Sequence, residues 1–236
     1  MNIVDVIILL FLGLGAVTGF IRGFFKQTVI SVGTILVIVL SFILKNPLSM
    51  ILYENLPFFK MGGLTSLNIL LYETFAFIIC AAILSIVLAI VIKVSGIIET
   101  ILKVTVILAL PSKLLGALVG IIHAIVLIYV GLFIVTMPAF NVPYVGESKY
   151  ADMILKKTPI ISNITNDVIT SFNEIAEFNK KEIDMSNVDI TNRKIVEIML
   201  KNEVTTIDSV KLLVEKGKIK IDNFDELVYT YERKEG

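Results

Sequence analysis

One histidine, His123, and one cysteine, Cys80, are the chain's whole supply of two side chains central to metal binding and nucleophilic chemistry. A serine triad or a multi-histidine metal site cannot be assembled from that supply. No GxSxG elbow, HExxH helix, P-loop or GxGxxG turn occurs either. The chain is therefore read as a non-enzyme, with no metal and no cofactor. Cys80 has no partner for an internal disulfide and falls inside an apolar run, so it is expected to act as a small buried apolar residue. Charge is scarce as well: 18% of residues are charged against 56% hydrophobic, and mean hydropathy is +0.88. Lys and Arg number 21 and Asp and Glu 21, which leaves no basic stripe to displace counterions and excludes nucleic acid as a partner.

Long apolar sequence is abundant. Residues 3–21, 27–44, 67–92 and 114–137 each approach or exceed the roughly 18–20 apolar residues that carry a helix across the hydrocarbon core. In lipid only helices and closed barrels satisfy their own backbone, so the lipid bilayer is the first partner the sequence names. The expected fold is an all-α integral membrane protein. It has four transmembrane helices, an amphipathic interfacial helix at 94–110 and a mostly helical soluble tail, divided into a membrane domain 1–138 and a polar tail 139–236. Asp5 stands where a signal peptide would be positive and no small-x-small cleavage site follows, so the first helix is expected to remain as an anchor.

Charge bias sets the expected orientation. Connections 22–26 and 93–113 hold five Lys and Arg (Arg22, Lys26, Lys93, Lys103, Lys113), against two (Lys45, Lys60) on connection 45–66. The positive-inside rule then puts the first pair in the cytoplasm and both termini outside. In 94–110, Glu99 and Lys103 share one helix face at i,i+4, which suits an interfacial helix ended by Pro111 better than a span. Five spans, with the tail in the cytoplasm, are the alternative. Connection 45–66 reads as a greasy loop on the outer surface, with Pro47, Pro57 and Gly62-Gly63 as turns and Tyr53, Phe58 and Phe59 as headgroup anchors. Apolar spacing predicts tail helices over 149–158, 160–178, 191–201 and 205–216, with Gly217 as a stop, while 218–231 alternates briefly and then resembles another helical turn.

Two glycine seams stand out. Gly15-Ala-Val-Thr-Gly19-Phe-Ile-Arg22-Gly23 and Gly116-Ala-Leu-Val-Gly120-Ile-Ile-His123-Ala124 share a frame of glycines four apart followed by a cationic residue. Such glycines let another backbone approach, so Gly15, Gly19, Gly23, Gly116 and Gly120 are packing positions where alanine is expected to be better tolerated than leucine. Meeting seams would set Arg22 and His123 along one polar cleft. Asp5, Glu73 and His123 are ionisable groups in spans, hence candidate functional residues. An Asp5–Glu73 neighbourhood would suit a proton or cation relay, and an interface carboxylate is the plainer alternative for Asp5. Glu73 has no side-chain partner nearby in sequence, and burial favours its neutral form. His123 is either a neutral interhelical hydrogen-bonder or a titrating switch.

Asp5 in the opening helix, Gly19-Phe20-Ile21-Arg22-Gly23-Phe24 closing it, and Leu115-Gly116-Ala117-Leu118-Val119-Gly120 later resemble the colicin V production protein family over roughly 1–165. The resemblance implies a bacterial inner-membrane protein linked to colicin V production or secretion and to envelope homeostasis, with no established biochemical activity. The family usually has Arg-Gly where this chain has His123-Ala124, and its usual end precedes the tail from 166. Some relatives carry an extracytoplasmic protease domain, which agrees with an outer tail. The resulting reading is a non-enzymatic membrane scaffold that partners further copies of itself or other membrane proteins. Its rival is a small channel or proton/ion-coupled transporter lined by Asp5, Arg22, Glu73 and His123, with a membrane-embedded enzyme third.

Overall fold

Asn2 opens the first helix, α1 (Ile3–Arg22), by a reciprocal cap. Its side chain accepts from the Val4 N–H, and Asp5 accepts from the Asn2 N–H at 3.0 Å. The computed structural model describes residues 2–59, 65–94, 109–135, 143–158, 168–171, 173–175 and 187–235. Among the described residues all regular structure is helical, and four helices are long and apolar enough to cross a membrane. They are α1, α2 (Phe24–Asn55), α3 (Leu67–Val94) and α4 (Ala109–Val135). Shorter helices follow: α5 (Pro143–Gly146), α6 (Lys149–Lys157), α7 (Val188–Lys201), α8 (Ile207–Glu215) and α9 (Phe224–Glu235). The expected helix 94–110 falls almost wholly outside the described residues, as does most of 160–178.

Contacts divide the chain into two compact units, residues 1–41 with 81–164 and residues 42–80 with 165–236. In the first, Gly23 at φ 75° makes the one-residue turn from α1 to α2, a backbone state that suits glycine. The α1 and α4 helices pack antiparallel, Gly19 against Gly116 and Gly15 against Gly120 and Ala124. At the other end of this pair, Ile8, Leu132, Val145 and Ala151 form a buried core on which Ile154 and Leu155 of α6 rest. Pro111 lies inside the first turn of α4 instead of before it, because a first-turn N–H has no intrahelical acceptor to lose.

The second unit corrects the expected surface loop at 45–66. The α2 helix runs 32 residues with Pro47 inside it, and at 1.5 Å per residue its length of about 48 Å exceeds a hydrocarbon core of about 30 Å. Its last turns and the first turns of α3 are therefore protein-packed. Tyr53, expected at headgroup level, is wholly buried and meets Tyr72 and Phe58 edge-on, and those two rings meet each other tilted. Phe58 is half-buried, and Phe59 alone of the three expected anchors is exposed. In the tail, Arg193 pairs with Glu197 of its own helix at 2.8 Å and joins α7 to α9 through Glu226 at 3.0 Å, and these carboxylates raise its pKa further. Burial, reinforced by the Glu197 charge, pushes the Tyr231 phenol up, so it donates to the Glu197 carbonyl as a neutral hydroxyl.

Candidate functional site

Lys45, Ser49 and Tyr53 fall at i, i+4 and i+8 on α2, one face of a helix. All three converge on Glu73 of α3. Lys45 Nζ donates to Glu73 Oε2 at 2.6 Å, to Asn46 Oδ1 at 3.0 Å and to the Val204 carbonyl at 3.1 Å, using its three protons. Glu73 Oε1 accepts from Ser49 Oγ at 2.8 Å and Tyr53 OH at 2.7 Å. Lys45 is 4% exposed, Glu73 5%, and Ser49 and Tyr53 are fully buried. Glu73, which has no side-chain partner nearby in sequence, finds one on another helix, with Lys45 Nζ 2.6 Å from its Oε2. Glu73 and Asp5 belong to different units, and each has hydrogen-bond partners within its own.

The tail supplies the third acceptor by a helix stop. At the end of α7 the Val204 N–H returns to the Met199 carbonyl at 2.9 Å and the Glu203 N–H to Leu200 at 3.2 Å. Glu203 takes the left-handed position at φ 52°, turning the chain so that the Val204 carbonyl faces Lys45. Further tethers run from the tail to the α2–α3 connection. The Ser66 hydroxyl donates to Asn192 Oδ1 at 2.9 Å, and Lys218 Nζ donates to the Leu56 carbonyl at 3.0 Å and lies over the Phe58 ring.

In the first unit Asp5 is a clasp. Its Oδ1 accepts from Ser148 Oγ at 2.5 Å and the Tyr150 N–H at 3.4 Å, and Ser148 Oγ in turn accepts from the Ala151 N–H at 3.0 Å. One carboxylate therefore serves the positive ends of both α1 and α6. The glycines close the other end: a Cβ on Gly15, Gly19, Gly116 or Gly120 would come within 3.0 Å of the facing helix, mostly of its backbone. Even the Cβ of an alanine would meet the facing helix there. Gly23 combines the turn with contact to Gly116. Arg22 Nη1 donates to Gln27 Oε1 at 3.3 Å. Among the described residues the buried His123 Nδ1 and Gln27 Nε2 find no hydrogen-bond partner.

The clasp and the seam join the very blocks, opening helix and later glycines, that family likeness rests on. A model of the family described as Colicin V production protein matches residues 4–159. The chain belongs to this family. No curated protein and no solved structure matches. With four membrane-length apolar helices, this family member is a multi-pass membrane protein. The colicin V production match takes in the Asp5 clasp, both glycine blocks, Lys45, Ser49, Tyr53, Glu73 and α6, and it ends before α7–α9. Val204 lies beyond it, so the Lys45–Glu73 latch, the buried network of Lys45, Ser49, Tyr53 and Glu73, draws one partner from outside the matched region.

Lys45, Ser49 and Tyr53 were not among the residues expected to function. The signal was present: Lys45 is the first charge after the uncharged run 27–44, and Glu73 the last before the run 74–92. Pro47 hid it by suggesting a turn. Among the described residues no group of three His, Cys, Asp or Glu could hold a metal ion.

Proposed function

We propose that this colicin V production family member is a non-enzymatic scaffold of the bacterial inner membrane, serving toxin production or secretion and envelope homeostasis. The tail is held at the mouth of α2 and α3 and presented outside the membrane to further copies or to other membrane proteins. The observation that carries this reading is the closed latch. All three Lys45 protons and both Glu73 oxygens are engaged within the protein, and both residues are buried. A relay or transport site needs a group free to exchange its partner, whereas a saturated network fixes geometry.

The double variant Lys45→Met with Glu73→Gln decides between scaffold and transporter. It removes both charges while keeping volume and an acceptor for Ser49 and Tyr53. A scaffold retains function in a strain lacking its own copy. Loss of complementation by a double variant that still inserts and folds, with ion or proton flux by wild type in liposomes, would favour the channel or transporter.

A further inference from the structure

The helix α6 has three faces. Ala151 and Thr158 are buried, while Ile154 and Leu155 pack on the core of Ile8 and Leu132. Asp152 and Lys156 pair at 2.6 Å on a second, solvated face. Tyr150, Met153 and Lys157, at i, i+3 and i+7, share the third, where Tyr150 is 36% and Met153 43% exposed.

Location decides what that third face meets. The Tyr150 N–H bonds to Asp5 in the first turn of α1, so α6 lies against the end of a membrane-length helix. Beside that clasp Ile3, Val6 and Ile7 are exposed apolar side chains, which the bilayer covers. The core residues Ile8 and Leu132 also border an apolar groove of about 240 Å³ between α1 and α4. The third face therefore continues a lipid-facing surface. Lys149, Lys156 and Lys157 against Asp152 alone give α6 surplus positive charge. A tyrosine with lysines on a short amphipathic helix suits the headgroup layer.

We propose that α6 is an interfacial helix whose Tyr150–Met153–Lys157 face lies in the headgroup region of an anionic phospholipid leaflet, on the side where α1 begins. It fixes the root of the tail to the membrane surface. The inference rests on the reading that the four long helices cross the bilayer, and the experiment separates the two.

The chain has no tryptophan, so a single introduced indole reports without background. Full-length Tyr150→Trp and Met153→Trp variants are placed in nanodiscs of phosphatidylcholine, with or without phosphatidylglycerol, containing lipids brominated high or low on the acyl chain. Ile86→Trp, at an exposed position within α3, reports on the span, and Tyr229→Trp, 67% exposed in the tail, reports on water. The expected result is blue-shifted emission at 150 and 153, quenched about twofold by shallow bromines, less by deep ones, and more with phosphatidylglycerol. Water-like, unquenched emission at 150 and 153, with Ile86→Trp quenched by deep bromines, overturns the proposal and leaves the span intact. If Ile86→Trp is also unquenched, the membrane reading itself fails. Equal quenching with and without phosphatidylglycerol overturns the anionic preference.

Discussion

Replacing Glu73 by Gln removes one charge and strands the other. Lys45 would remain 4% exposed with no counter-charge, and breaking a buried pair from one side costs about 3–5 kcal/mol. Glu73→Gln alone and Lys45→Met alone should each lower the thermal midpoint in detergent strongly. The double variant should recover most of the loss, since no uncompensated charge is left. Additive losses in the double variant would mean that the pair is not coupled as its geometry requires. A smaller change should act in the opposite direction. Glu203 is exposed and holds a left-handed φ of 52°, a state that disfavours a residue with a Cβ. Glu203→Gly should therefore stabilise the protein by about 1 kcal/mol in chemical denaturation. Gly217, at φ 63°, already fills the equivalent place after α8, and that stop was readable because glycine is the usual residue there. Glutamate at 203 gives no such sign.

Between elements the α1–α4 seam is the most demanding contact. The obstacles facing Gly19, Gly116 and Gly120 are backbone atoms, which cannot swing aside as a side chain can. Gly19→Ala or Gly120→Ala should part the two helices and lower the melting temperature measured by size-exclusion survival. Gly13→Ala and Gly131→Ala, where nothing among the described residues lies within 4 Å of the added Cβ, should be neutral or slightly stabilising. Equal behaviour of the two sets would remove the seam. The glycine spacing made this contact legible, because close approach leaves a mark at every fourth residue. The extension of α2 was not legible. Pro47 and Lys45 are signs of a loop in any local reading, and the contacts that keep them helical come from Glu73 and from Val204, the latter 159 residues away along the chain. Pairing at that separation has no local signature.

For the whole molecule, the direction of α4 fixes which side the chain finally reaches. With four crossings α4 runs antiparallel to α1, and with five it would run parallel. Gly19 packs against Gly116 and Gly15 against Gly120, which is the antiparallel order, and Ser148 after α4 binds Asp5 at the start of α1. The amino terminus and the root of the tail therefore share a side, whatever residues 95–108 do between α3 and α4. Lys and Arg counts favour the outside for that shared side, five against two. A phosphatase fused after Gly236 should be active, and a green fluorescent protein at the same place dark. A second pair of fusions at the amino terminus makes the outcome specific. Bright fluorescence at both ends would refute the charge bias while keeping the antiparallel seam. Fluorescence at the carboxyl terminus alone would refute the seam, because only an odd number of crossings separates the two ends.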